Sequence, residues 1–287
     1  MKNRFTFGKG IIYSVVTIVS LFCILPMLLV VITSFTAETA IARNGYSFFP
    51  EAWSLMAYKT LFAKGATIGR SYLISFAVTI LGTLISVLIT YMAGFVLANQ
   101  QFAYRNGFAL FFFITTIFNA GLVPQYLIVK QIYLYDTFWA LIIPGVFSAF
   151  NMFLVRNYIG GVPFSLMESA RVDGAGVIRI AFSIYMPIAK PVIATITLFY
   201  GIGYWNNYFN ALMFVDNNKL HPLQMILFKL QSDIQMLKQL SIGVTANPPA
   251  ESFKMATTVI TIGPIVLLYP LLQKYFIKGI VVGAVKG

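Results

Sequence analysis

Charge is what this chain most conspicuously lacks. Asp, Glu, Lys and Arg make up 10% of its 287 residues, against about 25% in an ordinary soluble domain. Too little polar surface is available to cover a soluble core of 32.0 kDa. Acidic residues are the scarcest, 8 against 20 basic ones, and no hydrophobic window holds a cluster of them, which argues against proton coupling. The single cysteine, Cys23, excludes a disulfide within the chain and lies in an apolar window, where a packed, inert thiol is the plain reading. The single histidine, His221, has no set of ligands around it, so no metal site is expected. No segment matches the phosphate-binding pattern G-x-x-x-x-G-K-[ST]. The chain is therefore not expected to hydrolyse ATP, and no catalytic residue is assigned.

What is present in abundance is hydrophobic side chain, 59% of the sequence. Several windows of about 20 apolar residues are each long enough, as helix, to cross a hydrocarbon layer of roughly 30 Å. The expected fold is all-α and polytopic, with six spans at about 11–33, 72–97, 107–128, 137–155, 192–213 and 256–273. Asn119-Ala-Gly and Pro124 in the third, and Pro264 and Pro270 in the sixth, mark kinks or ends. The first window is long for a secretory leader and is followed by no small-residue cleavage site, so a retained span is expected.

The net charge of +12 would suit nucleic acid in a soluble protein. Here its distribution orients the chain instead, and no nucleic-acid partner is expected. With the N-terminus cytoplasmic, the inner segments collect eleven basic residues against Glu168 and Asp173, and the outer ones nine basic against six acidic. The net charge is +9 inside and +3 outside, in the sense of the positive-inside rule. Both termini are expected on the cytoplasmic side. Of two longer outer segments, 34–71 carries aromatic residues suited to an interface. The other, 214–255, repeats Leu223, Ile226, Leu230, Ile234 and Leu237 at helical spacing. That helix either packs on the bundle at the interface or lies at the outer mouth touching a partner.

The inner segment between spans four and five is unusually polar and punctuated. Ser165 and Glu168 have capping-box spacing, which predicts a helix start. The helix is expected to run to Asp173, with Gly174 in the left-handed position that closes it. A second helix over about 177–186 leads to Pro187, and Pro191 opens span five, where a missing N–H matters least. A simple connection needs three to six residues; more than thirty are used here. The segment is either an amphipathic connector on the membrane surface or a docking element for a soluble partner.

Glu168-Ser169-Ala170-x-x-Asp173-Gly174-Ala175, followed by Ile184-Tyr185-Met186-Pro187, resembles the EAA loop of ABC importer permeases, roughly E-A-A-x-x-D-G-A and then I-x-L-P. Ser169 and Met186 depart from that pattern while keeping approximate side-chain size. GYWNNYFNAL at 202–211, LHPLQ at 220–224 and the basic tail 274–287 extend the resemblance to the carbohydrate-importer group. Within it the chain is similar to the second permease of alginate-type and other complex-saccharide importers. The resemblance implies one permease domain over 1–287 with a coupling loop at 157–191, in a bacterial cytoplasmic membrane. It implies two ATP-binding subunits that hold ATP and Mg, a second permease subunit (the family pattern favours a heterodimer) and an extracytoplasmic solute-binding protein. Glu168, Ala170, Asp173, Gly174 and Pro187 then become the coupling residues: Glu168 for capping and contact with the ATPase, Ala170 for close approach, Gly174 for the turn. Asp173 either steadies the loop or meets a basic group.

Tyr204, Trp205, Asn206, Asn207, Tyr208 and Asn210 form a polar and aromatic run in span five. Buried amides need partners, so the run serves either helix–helix hydrogen bonding or the lining of a saccharide path. Asn119, Gln125 and Asn151 are weaker candidates for the same path. Competing readings are a permease for an amino acid, peptide or anion, a secondary transporter, and a membrane scaffold. A secondary transporter or channel has no need of the EAA-like loop, and the polar run in span five argues against a scaffold.

Overall fold

Long apolar runs without water around them leave the backbone only its own carbonyls to bond, and helix is the result. The computed structural model describes residues 7–63, 65–240 and 251–263. Along the chain these form α1 (Phe7–Ser34), α2 (Glu38–Asn44), α3 (Met56–Phe62), α4 (Gly65–Ala98), α5 (Arg105–Ile117) and α6 (Leu122–Gln131). Two 3₁₀ turns, Phe138–Leu141 and Ile143–Gly145, precede α7 (Ala149–Gly160) and α8 (Ser165–Val172). Then follow α9 (Val177–Ile188), α10 (Lys190–Asn206), α11 (Phe209–Phe214), α12 (Leu223–Leu240) and α13 over 251–263. Among the described residues the only strand-like feature is an isolated bridge between Thr36 and Trp53.

Among the described residues two helices, Gly10–Ser34 and Gly65–Ala98, are long and apolar enough to cross a membrane unaided. Three bent pairs qualify together: Arg105–Ile117 with Leu122–Gln131 at 116°, Phe138–Gly145 with Ala149–Gly160 at 51°, and Val177–Ile188 with Lys190–Asn206 at 85°. The first span is as expected. The second begins seven residues earlier than expected, and its 34 residues make a rod of about 51 Å, well beyond the hydrocarbon thickness. The third and fourth spans are broken rather than straight. The third breaks at 118–121, where Gly121 has φ 87° and donates its N–H to the Asn119 side chain at 2.9 Å. The expected span 256–273 lies outside the described residues from 264 on, as do Pro264, Pro270 and the basic tail.

The described residues fall into two compact units, one from residues up to 68 and from 227 to 263, the other from 69–226. In the first, Glu38 acts as a remote cap for α13. Its carboxylate accepts from the N–H groups of Glu251 and Ser252, at 3.1 and 3.0 Å, and from the Ser252 hydroxyl at 3.0 Å. An acid at a helix N-terminus is favoured by the helix dipole and by orphan N–H groups. Tyr46 donates to Glu251 at 2.9 Å, and that bond raises its phenol pKa above the ordinary value.

The second unit is organised around α4. Gly82 and Gly94 let neighbours come close: a Cβ at Gly82 would sit 2.8 Å from the Tyr204 ring, and one at Gly94 would sit 2.7 Å from Val155 Cβ. Small residues at such crossings are how membrane helices gain packing contact. One buried cluster runs continuously from Met167 and Ala170 through Tyr91, Phe95 and Ile196 to Tyr204, Ala211 and Phe214. The loop 157–191 and the polar run of span five thus share one core. The α12 helix forms where its spacing predicts, with Leu223 and Ile226 buried beside Met225 and Leu227.

Candidate functional site: a polar loop and a broken helix

The loop is built from its turns. Helix α8 ends in a Schellman closure: Gly174 N–H donates to Arg171 O, and Ala175 N–H to Ala170 O, both at 2.9 Å. Gly174 takes φ 79° to allow it, as its place after Asp173 predicts. The start of the helix corrects the sequence expectation. Phe164, not Ser165, precedes the first helical residue, and no side chain caps it. An N-cap needs extended φ/ψ so that its oxygen faces the N2 or N3 N–H. Phe164 is already helical at φ −65° and ψ −25°, so Ser165 lies inside the first turn and the capping box with Glu168 does not form. The Ser165 carbonyl accepts instead from the Ser169 hydroxyl at 2.9 Å.

Helix α8 divides cleanly into two faces. Met167 and Ala170 are buried in the protein itself, so the close approach of Ala170 is internal. Leu166, Glu168, Ser169, Asp173 and Val172 are exposed, Val172 to 87%. Val177 and Ile178 at the start of α9 extend the exposed apolar tip, at 56% and 77%. Glu168 and Asp173 make no hydrogen bond or ion pair through their carboxylates among the described residues. Arg171 donates to the Gln101 side chain and so ties α8 to the chain just after α4.

The second helix is longer and less regular than expected. It runs to Ile188, and residues Ile180–Tyr185 form a π turn. Pro187 has no N–H to give the carbonyl four residues back, and its ring crowds that carbonyl; the widened turn lies immediately before it. Tyr91 of α4 donates to Ala181 O at 2.6 Å, and Phe95 meets Tyr185 edge-on at 5.4 Å. At Ala189 the chain bends by 85° into α10, with Pro191 in the first turn as predicted. The loop is thereby gripped at its buried face by α4 and at its end by α10.

The second candidate region is a break in span five. Helix α10 stops at Asn206, Asn207 is extended at φ −81° and ψ 102°, and α11 resumes at Phe209. Asn207 Oδ1 accepts from Asn210 N–H at 3.0 Å, which satisfies a donor that α11 would otherwise leave orphaned. Non-helical backbone at membrane depth is tolerated where it is buried in protein or faces a wet cavity. Asn206 and Tyr208 are exposed, Asn207 is half-buried and Asn210 is buried. Gln224 donates to Asn206 Oδ1 at 3.4 Å.

The remaining candidates separate. Tyr204 is buried, its ring seated over Gly82 and its hydroxyl 2.9 Å from Ser86 Oγ and 3.1 Å from Ile142 O. Trp205 is also buried and packs on Phe76 at 5.2 Å and Tyr72 at 6.4 Å. Asn151 is buried in the first turn of α7. Asn119 and Gln125 are exposed at the bend between α5 and α6 and share no hydrogen bond with the span-five run among the described residues. His221 is buried, with Nε2 at 3.0 Å from Val215 O. Sequence reasoning missed a stripe of hydroxyls on α4. Ser75, Thr79, Thr83, Ser86 and Thr90 recur at three or four residues, and that helical period in an otherwise apolar window was the available signal.

The chain is similar over most of its length to several bacterial proteins. It is 37% identical over 269 residues to Protein LplC of Bacillus subtilis (strain 168), covering 92% of this chain and 90% of that one. It is 33% identical, covering 100% of both chains, to the polygalacturonan/rhamnogalacturonan transport system permease protein YtcP of the same organism. Among solved structures it matches a crystal structure of a bacterial ABC transporter involved in the import of the acidic polysaccharide alginate. The TM-score is 0.79 at 28% identity, with 96% of this chain and 100% of that chain covered. Residues 102–282 match the family model described as binding-protein-dependent transport system inner membrane component, and the chain belongs to that family.

Proposed function

We propose that this chain is one membrane-spanning half of an ATP-driven importer that translocates a saccharide delivered by a solute-binding protein. The observation that carries the reading is the geometry at 165–178. A short helix closed by a Schellman turn presents Leu166, Glu168, Val172, Asp173, Val177 and Ile178 outward, while its other face is fixed in the core. An exposed apolar tip flanked by acids fits a soluble partner with complementary charge. In this reading Gly174 sets the direction of the lever, and Ala170 seats it. Glu168 and Asp173 meet basic groups of an ATP-binding subunit, and Pro187 fixes the widened turn where the lever joins α10. The chain is a transport subunit rather than an enzyme, and ATP and Mg belong to the partner subunits.

The same reading makes the chain a single six-span domain of a bacterial cytoplasmic membrane. Both termini and the 157–191 loop lie on the ATPase side, and a second permease completes the pathway. Saccharide as the cargo class is supported by the similarity to the polygalacturonan/rhamnogalacturonan permease YtcP and to the alginate transporter. The break at Asn207 is the part of span five that faces the path, with Asn206, Asn207 and Tyr208 as contacts and Asn210 behind them. Tyr204, Trp205 and Asn151 serve packing. Asn119 and Gln125 are kept as contacts only at the outer bend.

The test is to co-purify the assembly with its binding protein in proteoliposomes and measure ATP hydrolysis against a panel of saccharides, amino acids and glycerol phosphate. Stimulation by an oligosaccharide, with uptake of the same compound, is the expected result. Stimulation by an amino acid and by no saccharide overturns the cargo class.

A further inference from the structure

Two tyrosines one turn apart on α10 hold the break in span four. The Tyr200 hydroxyl lies 2.7 Å from Thr90 Oγ1 and accepts from Ser148 N–H at 2.9 Å. The Tyr204 hydroxyl lies 2.9 Å from Ser86 Oγ and donates to Ile142 O at 3.1 Å. A phenol has one proton to give, so with that proton on Ile142 O the Ser86 hydroxyl is the donor to Tyr204. Ile142 and Ser148 flank the 51° bend between the 3₁₀ turns and α7. Backbone groups freed by a break in a membrane helix need partners of this kind. The pairing is antiparallel, Tyr200 with Thr90 and Tyr204 with Ser86, and steps by four residues on both helices.

The hydroxyl face of α4 continues beyond the pairs in use. Thr83 is 8% exposed, and the Oγ1 atoms of both Thr79 and Thr83 are buried without a hydrogen-bond partner among the described residues. Threonines in helices usually return their proton to a carbonyl one turn back, as Thr195 and Thr197 do at 3.0 and 2.7 Å. Thr83 does not, although the facing residue is Gly201, whose missing Cβ would lie 3.8 Å from Thr83 Oγ1. A buried hydroxyl without a partner is destabilising. Its retention beside Gly201 is explained if the partner arrives in a second arrangement.

We propose that Tyr200, Tyr204 and Thr83 are positioning residues of the transport cycle, forming a latch with two registers. In the second register α10 has moved by one turn along α4. Tyr200 then bonds Ser86 and takes the place over Gly82, Tyr204 bonds Thr83, and the break at 142–148 follows the phenols. One turn is about 5.4 Å, and one-turn ratchets between packed helices are a known form of two-state switch. The lever at 165–188 is continuous with α10 through Ala189, so a displacement of the lever reaches the latch directly. This proposal rests on the ATP-driven transport reading above.

The experiment uses the complete transporter in proteoliposomes with oligogalacturonate as the probe. Thr83→Val is expected to assemble and to melt no lower than the parent, because its buried hydroxyl has no partner in the present register. Its uptake is expected to be roughly two- to tenfold lower at an unchanged half-saturating concentration, the worth of one hydrogen bond, and Thr83→Ser restores it. In a Cys23→Ser background, the pair G201C with T83C is expected to form a disulfide without nucleotide. The pair G201C with T79C is expected to do so only when the ATPase is trapped with ATP and vanadate. Parent-level uptake by Thr83→Val, or a T79C pair that never cross-links above background, overturns the latch. A parent complex without ATP-driven uptake of any saccharide overturns the transporter reading itself.

Discussion

The loop at 157–191 and the run at 202–211 are both polar interruptions in an apolar chain, yet they are made in different ways. In the loop, local turn chemistry decides the conformation. Gly174 has φ 79° and a Cβ there would meet no heavy atom within 4 Å, so its identity serves the backbone alone. In the span-five run, tertiary partners decide. Tyr204 is fixed by Gly82, Ser86 and Ile142, and Trp205 by Phe76 and Tyr72. Only at Asn207 does a local bond, to Asn210 N–H, shape the chain. In the proposed coupling reading the loop is a preformed lever, and the run a joint held from outside.

The largest effect is expected from breaking the lever at its corner. Gly174→Val forces a β-branched residue into the left-handed region, a penalty of at least about 1–2 kcal/mol, and redirects α8 relative to α9. Uptake by the reconstituted complex is expected to fall by an order of magnitude while the protein folds and basal ATP hydrolysis persists. Gly174→Ala, with open space for its methyl group, is expected to lie between Val and parent. Wild-type uptake by the Val variant would show that the corner is not part of coupling.

The joint is tested by filling its socket. Gly82→Ala brings a methyl group to within 2.8 Å of the Tyr204 ring, and overpacking of this kind costs about 1–3 kcal/mol. The expected result is a lower melting temperature for the assembled transporter, not recovered by adding Tyr204→Phe, which removes the hydroxyl and keeps the ring that the methyl group meets. At the break itself, Asn207→Ala removes the acceptor for Asn210 N–H and is expected to cost about 1 kcal/mol. Asn207→Asp keeps the acceptor and is expected to keep the stability. A shift in half-saturating saccharide concentration for Asn206→Ala, without a change in melting temperature, would mark the exposed amide as a contact.

How much was readable in advance follows the same division. The Gly174 corner, Pro191 at the start of α10 and the amphipathic α12 were legible because each depends on a few neighbours in sequence. The break in the third span was marked by Asn119-Ala-Gly and Pro124, while none was expected in the fourth. The 51° bend of the fourth is held by distant groups, such as the Tyr200 hydroxyl on Ser148 N–H, whereas the 116° bend of the third carries a local bond from Gly121 N–H to Asn119. The π turn follows from Pro187 just after it, but the bond that anchors it, Tyr91 on Ala181 O, comes from a distant helix. The division of span-five residues between packing and exposure was not readable, because it is decided by which side of α10 meets α4.

The smallest expected effect is also the sharpest separation of sequence pattern from structure. Ser165 and Glu168 have capping-box spacing, and a working cap would cost about 1 kcal/mol on replacement by Ala. In the structure Phe164 occupies the cap position with helical dihedrals and no side chain bonds the first N–H groups. Ser165→Ala is therefore expected to change stability by less than about 0.5 kcal/mol, as for a surface site without a special role. Glu168→Gln should be equally silent in melting but should weaken retention of the ATP-binding subunits during purification, because its exposed carboxylate is free to meet a partner. A loss near 1 kcal/mol in Ser165→Ala would restore the cap and move Glu168 from docking back to folding.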